Sequence, residues 1–179
     1  MINEKKLIDY FRHMRHDWLN DVQLVKGYLS LGKYHEVDRV IDQIITKAKN
    51  ESKLSNLQVP VLTTYIMTYN WLDHHLHLSF QVIGKNDFDI SKHDRKMLQA
   101  IKKTLRQFDK NVLEYKDNRM FLTLDVSQKK PILIFDFTGE IENVKVIENW
   151  IHSSEMYGLV RFVEHYINET KANVVLELE

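Results

Sequence analysis

The stretch LIDYFRHMRHDWLNDVQLVKGYLSLGKYHEVDRVIDQIITKA, Leu7 to Ala48, decides the fold of the N-terminal third of the chain. Leu7, Phe11, Met14, Trp18, Val22, Val25 and Leu29 step by three or four residues, so at about 100° per residue they form one apolar stripe on a helix. Gly32, in the link LGKY, is placed to end that helix. Val37, Val40, Ile41, Ile44, Ile45 and Ala48 repeat the pattern, and the short link makes the two helices antiparallel neighbours. A hairpin of two helices cannot enclose its own apolar seam and needs another layer. Either a second hairpin across a two-fold axis supplies it, giving a four-helix bundle, or the rest of the same chain does. Periodicity weighs the two equally.

Beyond this stretch the pattern changes. ESKLSNLQVP reads as a connector, and Pro60 opens a helix predicted to run to His75. HLSFQVIG alternates like a strand and stops at Gly84. Ser91 is placed to cap a long helix reaching about Tyr115, with Met97, Ile101, Leu105, Phe108 and Val112 inward. FLTLDV and PILIFDF read as two strands around SQKK, Glu142 to His152 as a helix, and LVRFVEHYI and NVVLELE as closing strands. Strands with three helices on one face indicate an α+β sandwich. The predicted organisation is a helical hairpin over residues 1–57 and a sandwich domain over 58–179.

The chain has 179 residues, with 25 Lys and Arg against 25 Asp and Glu. That length buries a real core, and the neutral balance argues against binding nucleic acid or a membrane surface, both of which rely on a basic excess. With no cysteine, disulfides, thiolate catalysis and cysteine-based zinc sites are excluded. The charged N-terminus lacks a signal peptide's apolar core, and no apolar run approaches the roughly 20 residues that span a bilayer. The expectation is a soluble cytoplasmic protein.

RHDWLNDVQL, Arg15 to Leu24, carries the chemistry. His16 falls roughly 150° from the centre of the apolar stripe. Asn20 and Gln23 share its side, and Arg12 and His13 flank it. An outward histidine is free to react, and imidazole, with an ordinary pKa of about 6.5, is a competent nucleophile near neutral pH. Asp17 is the adjacent acid, suited to fix the ring tautomer and offset charge during transfer. Phosphoryl transfer asks mainly for in-line positioning and charge neutralisation, so one nucleophile on a rigid helix is sufficient. As a bare spacing, His-Asp with Asn four residues after the histidine is weak, since most such pairs are solvated helix surface.

HDWLNDVQLVKGYLSLGKY, followed by NESKLSNL, resembles the sporulation initiation phosphotransferases of the Bacillus phosphorelay. The resemblance is specific over the first 57 residues and implies a phosphoryl carrier. In such a carrier the phosphate arrives from an aspartyl-phosphorylated single-domain response regulator. It leaves for the response-regulator transcription factor that starts sporulation. His16 matches the phosphorylated histidine, and Arg12, Arg15, Asp17, Asn20 and Gln23 are its neighbouring or partner-docking residues. The resemblance also implies a homodimer built through the hairpins into a four-helix bundle. It implies a C-terminal domain resembling a degenerate histidine-kinase ATP-binding domain. The magnesium ion that neutralises the phosphoryl oxygens would belong to the regulator, so no cofactor or metal is expected on this chain.

The residues themselves argue against an active kinase. Nucleotide phosphates need glycine-rich loops, but Gly27, Gly32, Gly84, Gly139 and Gly158 are the only glycines and no two are close enough to form one. Asp136-Phe137-Thr138-Gly139 reads as a strand end and turn. The competing classes are an ATP-dependent sensor-type histidine kinase and a non-catalytic dimerisation scaffold. Asn20 also leaves open water positioning for a phosphatase side activity.

Other clusters are read structurally. His74, His75 and His77 in DHHLH are helix C-terminal histidines favoured by the dipole rather than a metal site. Met14 and Trp18 are bundle core, and Trp71 and Trp150 core of the second domain. Lys102, Lys103 and Arg106 are a solvated face, or a dock for an acidic regulator.

Overall fold

The computed structural model describes residues 4–85, 89–153, 156 and 158–179. They form two compact units, 1–52 and 53–179.

The first unit is the helical hairpin. Helix α1 spans Glu4–Ser30 and α2 spans Tyr34–Asn56. Between them the Lys33 N–H donates to the Tyr28 carbonyl and the Gly32 N–H to that of Leu29, both at 3.0 Å. That is the paired-bond ending of a helix, and it needs a left-handed residue at its centre. Gly32 supplies it with φ of 66°. Val37 and Val40 are buried on α2, and Val25 and Tyr28 are half-buried on α1. Arg39 on α2 is held charged chiefly by its bond to Glu36, with a smaller contribution from Tyr28 on α1. The main apolar stripe stays open: Phe11, Met14 and Trp18 are 53%, 54% and 62% exposed. Ile41 and Ile45 on α2 are also exposed. Large apolar residues at helical spacing are thus exposed on both helices.

The second unit begins with the last turn of α2. It comprises α3 (Pro60–Thr68), β1 (Leu76–Ile83), α4 (Asp94–Asp109), β2 (Asn118–Asp125), β3 (Ile132–Thr138), α5 (Val144–Ile151), β4 (Val160–Ile167) and β5 (Lys171–Leu178). The sheet order is β1-β2-β3-β5-β4. β1 runs parallel to β2, and all other pairs are antiparallel. Alternate residues of each inner strand are buried: Met120, Leu122 and Leu124 on β2; Leu133, Phe135 and Phe137 on β3; Val174, Leu176 and Leu178 on β5. They join Leu62 and Ile66 of α3, Ile101, Leu105 and Phe108 of α4, and Ile147 and Trp150 of α5 in one core. The period-two strands and 3.6-period helices thus supply the two layers expected from the sequence.

Several boundaries differ from expectation. The helix from Pro60 stops at Thr68 and tightens into a 3₁₀ turn at Tyr69–Trp71, short of His75. Asn70 explains the stop. Its side-chain amide donates to the Leu78 carbonyl at 2.7 Å and accepts from the Leu78 N–H at 2.8 Å. It thereby imitates a neighbouring strand on the edge of β1. Ser91 does not cap α4, because Asp89 holds both its backbone N–H and its hydroxyl. A 3₁₀ turn at Ser91–His93 leads in instead. Helix α4 then ends at Asp109, not Tyr115. Asp109 accepts from the backbone N–H groups of His75 and Leu76 at 2.8 and 3.2 Å, and Val112 leaves to form a bridge with Ile141.

Asp94, the first residue of α4, is buried and caps a different helix. Its carboxylate accepts from the Val61 and Leu62 N–H groups at 3.0 and 2.8 Å. Those are orphan donors at the start of α3, where Val59 offers no side-chain cap. Trp150 is buried as expected, whereas Trp71 is only half-buried.

Candidate functional site

His16 lies in the middle of α1, and its side chain is 73% exposed. Its neighbours converge on one ring nitrogen. The Asn20 side-chain nitrogen is 3.3 Å from Nδ1, and Asp17 Oδ1 is 3.6 Å from the same atom. The second distance is too long for a hydrogen bond but short enough for charge to act. Nε2 has no partner among the described residues.

The chemistry turns on the tautomer. With its nitrogen toward the ring, Asn20 donates to Nδ1 and the ring proton sits on Nε2. With the amide turned over, Nδ1–H donates to the Asn20 oxygen and Nε2 carries a bare lone pair facing solvent. The two orientations of an asparagine amide are isosteric. The Asp17 carboxylate beside Nδ1 favours the second, because it stabilises a proton there. Attack by Nε2 requires that arrangement.

The remaining candidates are less tightly gathered. Arg12, one turn before His16, is drawn back to Asp9, with Nη1 to Oδ1 at 3.1 Å. Asp9 is a residue that the sequence reading passed over; its opposite charge three residues before Arg12 is the signal that identifies it. Gln23 is exposed two turns beyond His16. Arg15 is exposed as well but points about 100° around the helix from His16, toward the rim of the apolar stripe. Met14 and Trp18, read as bundle core, are exposed in the single chain. An open depression of about 660 Å³ at the hairpin turn, lined by Tyr28, Lys33 and Tyr34 among others, contains none of the candidate residues.

The histidine cluster of the second unit is dispersed. His74 pairs with Asp109, Nδ1 to Oδ2 at 3.2 Å, and stacks on Tyr69 with centroids 4.0 Å apart. His75 faces Glu114 at 3.4 Å, and His77 is exposed on β1. The helix-dipole explanation fails for them, because α3 has ended before they begin; Asp109 and Glu114 take its place. Among the described residues no group of three or more His, Cys, Asp or Glu could hold a metal ion.

The stretch 136–139 is tied into strand contacts. Asp136 lies within β3 and accepts from the Asn173 side chain at 2.6 Å. A Cβ on Gly139 would strike Asn118, whose amide ties Leu113 to Glu140. That glycine is required by the close packing of Asn118 and Phe137 against it. Among the described residues no helix is long and apolar enough to cross a membrane.

Comparison with known proteins agrees along the whole chain. The model of the sensor kinase SpoOB-type alpha-helical domain matches residues 1–57. That of sporulation initiation phospho-transferase B, C-terminal, matches 58–177. Sporulation initiation phosphotransferase B of Bacillus subtilis (strain 168) is 39% identical over 136 residues, covering 75% of this chain and 70% of that protein. Among solved structures, the catalytic domain of histidine kinase ThkA covers 70% of this chain and 91% of its own, at 11% identity and a TM-score of 0.42. Histidine kinase AdeS of Acinetobacter baumannii covers 92% and 97%, at 8% identity and a TM-score of 0.37. On the two family models and the Bacillus relative, this chain belongs to the sporulation initiation phosphotransferase B family.

Proposed function

We propose that this protein is a phosphorelay phosphotransferase that carries the phosphoryl group on Nε2 of His16. The observation that supports this is the division of the imidazole: Nδ1 is flanked by Asn20 and Asp17, and Nε2 is open to solvent. The phosphoryl donor is the aspartyl phosphate of a single-domain response regulator. Nε2 attacks phosphorus in line, the N–P bond forms, the acyl-phosphate P–O bond breaks, and the regulator's aspartate leaves as a carboxylate. The ring becomes a phosphorylated cation with its proton on Nδ1. Asp17 offsets that charge by on the order of 1 kcal/mol at a solvated site. In the second half-reaction the aspartate of a response-regulator transcription factor attacks the phosphohistidine, and sporulation begins downstream.

The chain acts as a homodimer in the cytoplasm. Residues 1–57 form the dimerising phosphotransfer domain and 58–179 the sandwich. The exposed strip of Phe11, Met14, Trp18 and Ile41 supports a second hairpin as the missing layer. Arg12, Arg15 and Gln23 contact the regulators, which bring their own magnesium ion. The sandwich takes no part in ATP-dependent phosphorylation.

The test mixes the purified protein with a phosphorylated response regulator. An acid-labile, base-stable label is expected on the protein and absent from His16→Ala. Label retained in that variant would remove His16 from the mechanism. Label acquired from ATP alone would favour a kinase instead.

A further inference from the structure

The outward face of α4 is basic without relief. Arg95, Lys102 and Arg106 are exposed on one side of the helix. By helical angle they lie beside Leu98 and away from the core. None of the three forms an ion pair with another described residue. Both acids of α4 are used elsewhere: Asp94 caps α3, and Asp109 anchors the start of β1. Lys102 and Arg106, four residues apart, are like charges on one face and destabilise the helix that carries them. The whole chain is neutral, so this is a local arrangement, and helix stability does not account for it.

Alongside this face, α3 and α4 border an open groove of about 520 Å³ lined by Pro60, Val61, Thr64, Tyr65, Thr68 and Leu98. Helix α3, PVLTTYIMT, carries no charged side chain. Thr64 and Thr68 donate their hydroxyls to carbonyls of their own helix at 2.8 and 2.7 Å, which leaves the groove little polar character. Val61 is 45% exposed on its wall. The Lys102 ammonium lies 5.4 Å from the centroid of the Tyr65 ring and joins the apolar floor to the cationic rim.

We propose that this groove docks an acidic amphipathic segment of a partner protein. Apolar side chains of the segment enter between α3 and α4, and its carboxylates meet Arg95, Lys102 and Arg106. The lining is apolar and the basic face of α4 lies beside it, which matches a segment with one apolar and one acidic face. A membrane surface is a poorer fit, since it would take protruding apolar residues over a broad basic plane, whereas here the apolar residues line a groove beside the one helix that carries the charge.

The experiment titrates the full-length protein into a fluorescent helix-forming peptide with leucines at i, i+3, i+4 and i+7 and glutamates on the flanking face. A second peptide has every glutamate replaced by glutamine. Saturable binding of the acidic peptide is expected, weakened by salt. It should fall about tenfold in Arg95→Glu/Lys102→Glu/Arg106→Glu, for three solvated pairs. A separate variant, Thr64→Trp, fills the groove without altering charge and is also expected to weaken binding. Circular dichroism establishes that both variants fold. Equal affinity for the two peptides, unchanged affinity in either variant, or no binding at all would overturn the proposal. So would binding to phosphatidylserine vesicles but not to the acidic peptide, which would assign the basic face to a membrane.

Discussion

His16 and Asn20 are joined through their side chains across one turn of α1, amide nitrogen to Nδ1 at 3.3 Å. Under the proposed function Asn20 is a positioning residue, which acts on the phosphoryl group only through the ring it orients. Asn20→Ala should leave the hairpin folded and let the imidazole swing and change tautomer. Transfer from a phosphorylated regulator should slow by roughly ten- to a hundredfold, measured in single-turnover labelling. Asn20→Asp should retain most of the rate, because a carboxylate still accepts from Nδ1–H. Equal loss in both variants would instead make Asn20 a docking contact.

Trp18 is 62% exposed on the apolar strip, while His16 lies on the other side of the same helix. Under the proposed four-helix bundle, Trp18→Glu should yield a monomer with half the wild-type mass, measured by light scattering at micromolar concentration. Wild-type protein that is already monomeric would contradict the four-helix bundle.

The Asp94 carboxylate closes the start of α3 from another helix. Asp94→Ala strands two backbone donors and should cost about 2 kcal/mol, read as a lower urea midpoint with an unchanged slope. Asp94→Asn keeps one acceptor and should cost about half as much.

Tyr69 is buried with its hydroxyl unbonded among the described residues. Tyr69→Phe removes an unsatisfied polar atom and should be neutral or slightly stabilising at pH 7. The two packed phenols should dominate alkaline behaviour. Burial, helped by Asp109, pushes Tyr65 up to about 12, and burial raises Tyr69 as well. The folded chain thus holds these protons more tightly than the unfolded chain, whose phenols titrate near 10. Their contribution is complete below pH 10 and is lost as pH rises above it, up to about 12 for Tyr65 and over a higher range for Tyr69. Urea midpoints compared at pH 9 and 11 should fall in wild type, and fall less in Tyr69→Phe.

The legible parts of the sequence were those set by repetition. Two apolar stripes and a glycine give the hairpin, and alternating strands give the sheet. The positions that escaped are those where a side chain serves a distant backbone. Asp94 reads as an ordinary first-turn acid of its own helix, yet it caps α3. Asn70 reads as helix interior, yet it pairs with β1. Asp109 reads as mid-helix, yet it ends α4 and disperses the histidines around it. No local pattern encodes such bonds, because donor and acceptor lie eight residues apart for Asn70 and more than thirty apart for Asp94 and Asp109. At the candidate site, the face of His16 was accessible from helical geometry alone. The engagement of Arg12 by Asp9 is legible too, as an opposite charge three residues before it on the same helix.

The parallel pairing of β1 with β2 also constrains how the second unit folds. Gln81 meets Thr123 across that pair, 42 residues away in the chain, whereas β2 and β3 are joined by one short turn. Closing the longer loop costs more entropy before any contact is made. The β2–β3 hairpin should therefore form early and β1 dock late, once α4 has crossed the sheet. In hydrogen exchange β1 should open before the central strands, so that the edge carrying Asn70's imitation strand is the least protected part of the sheet.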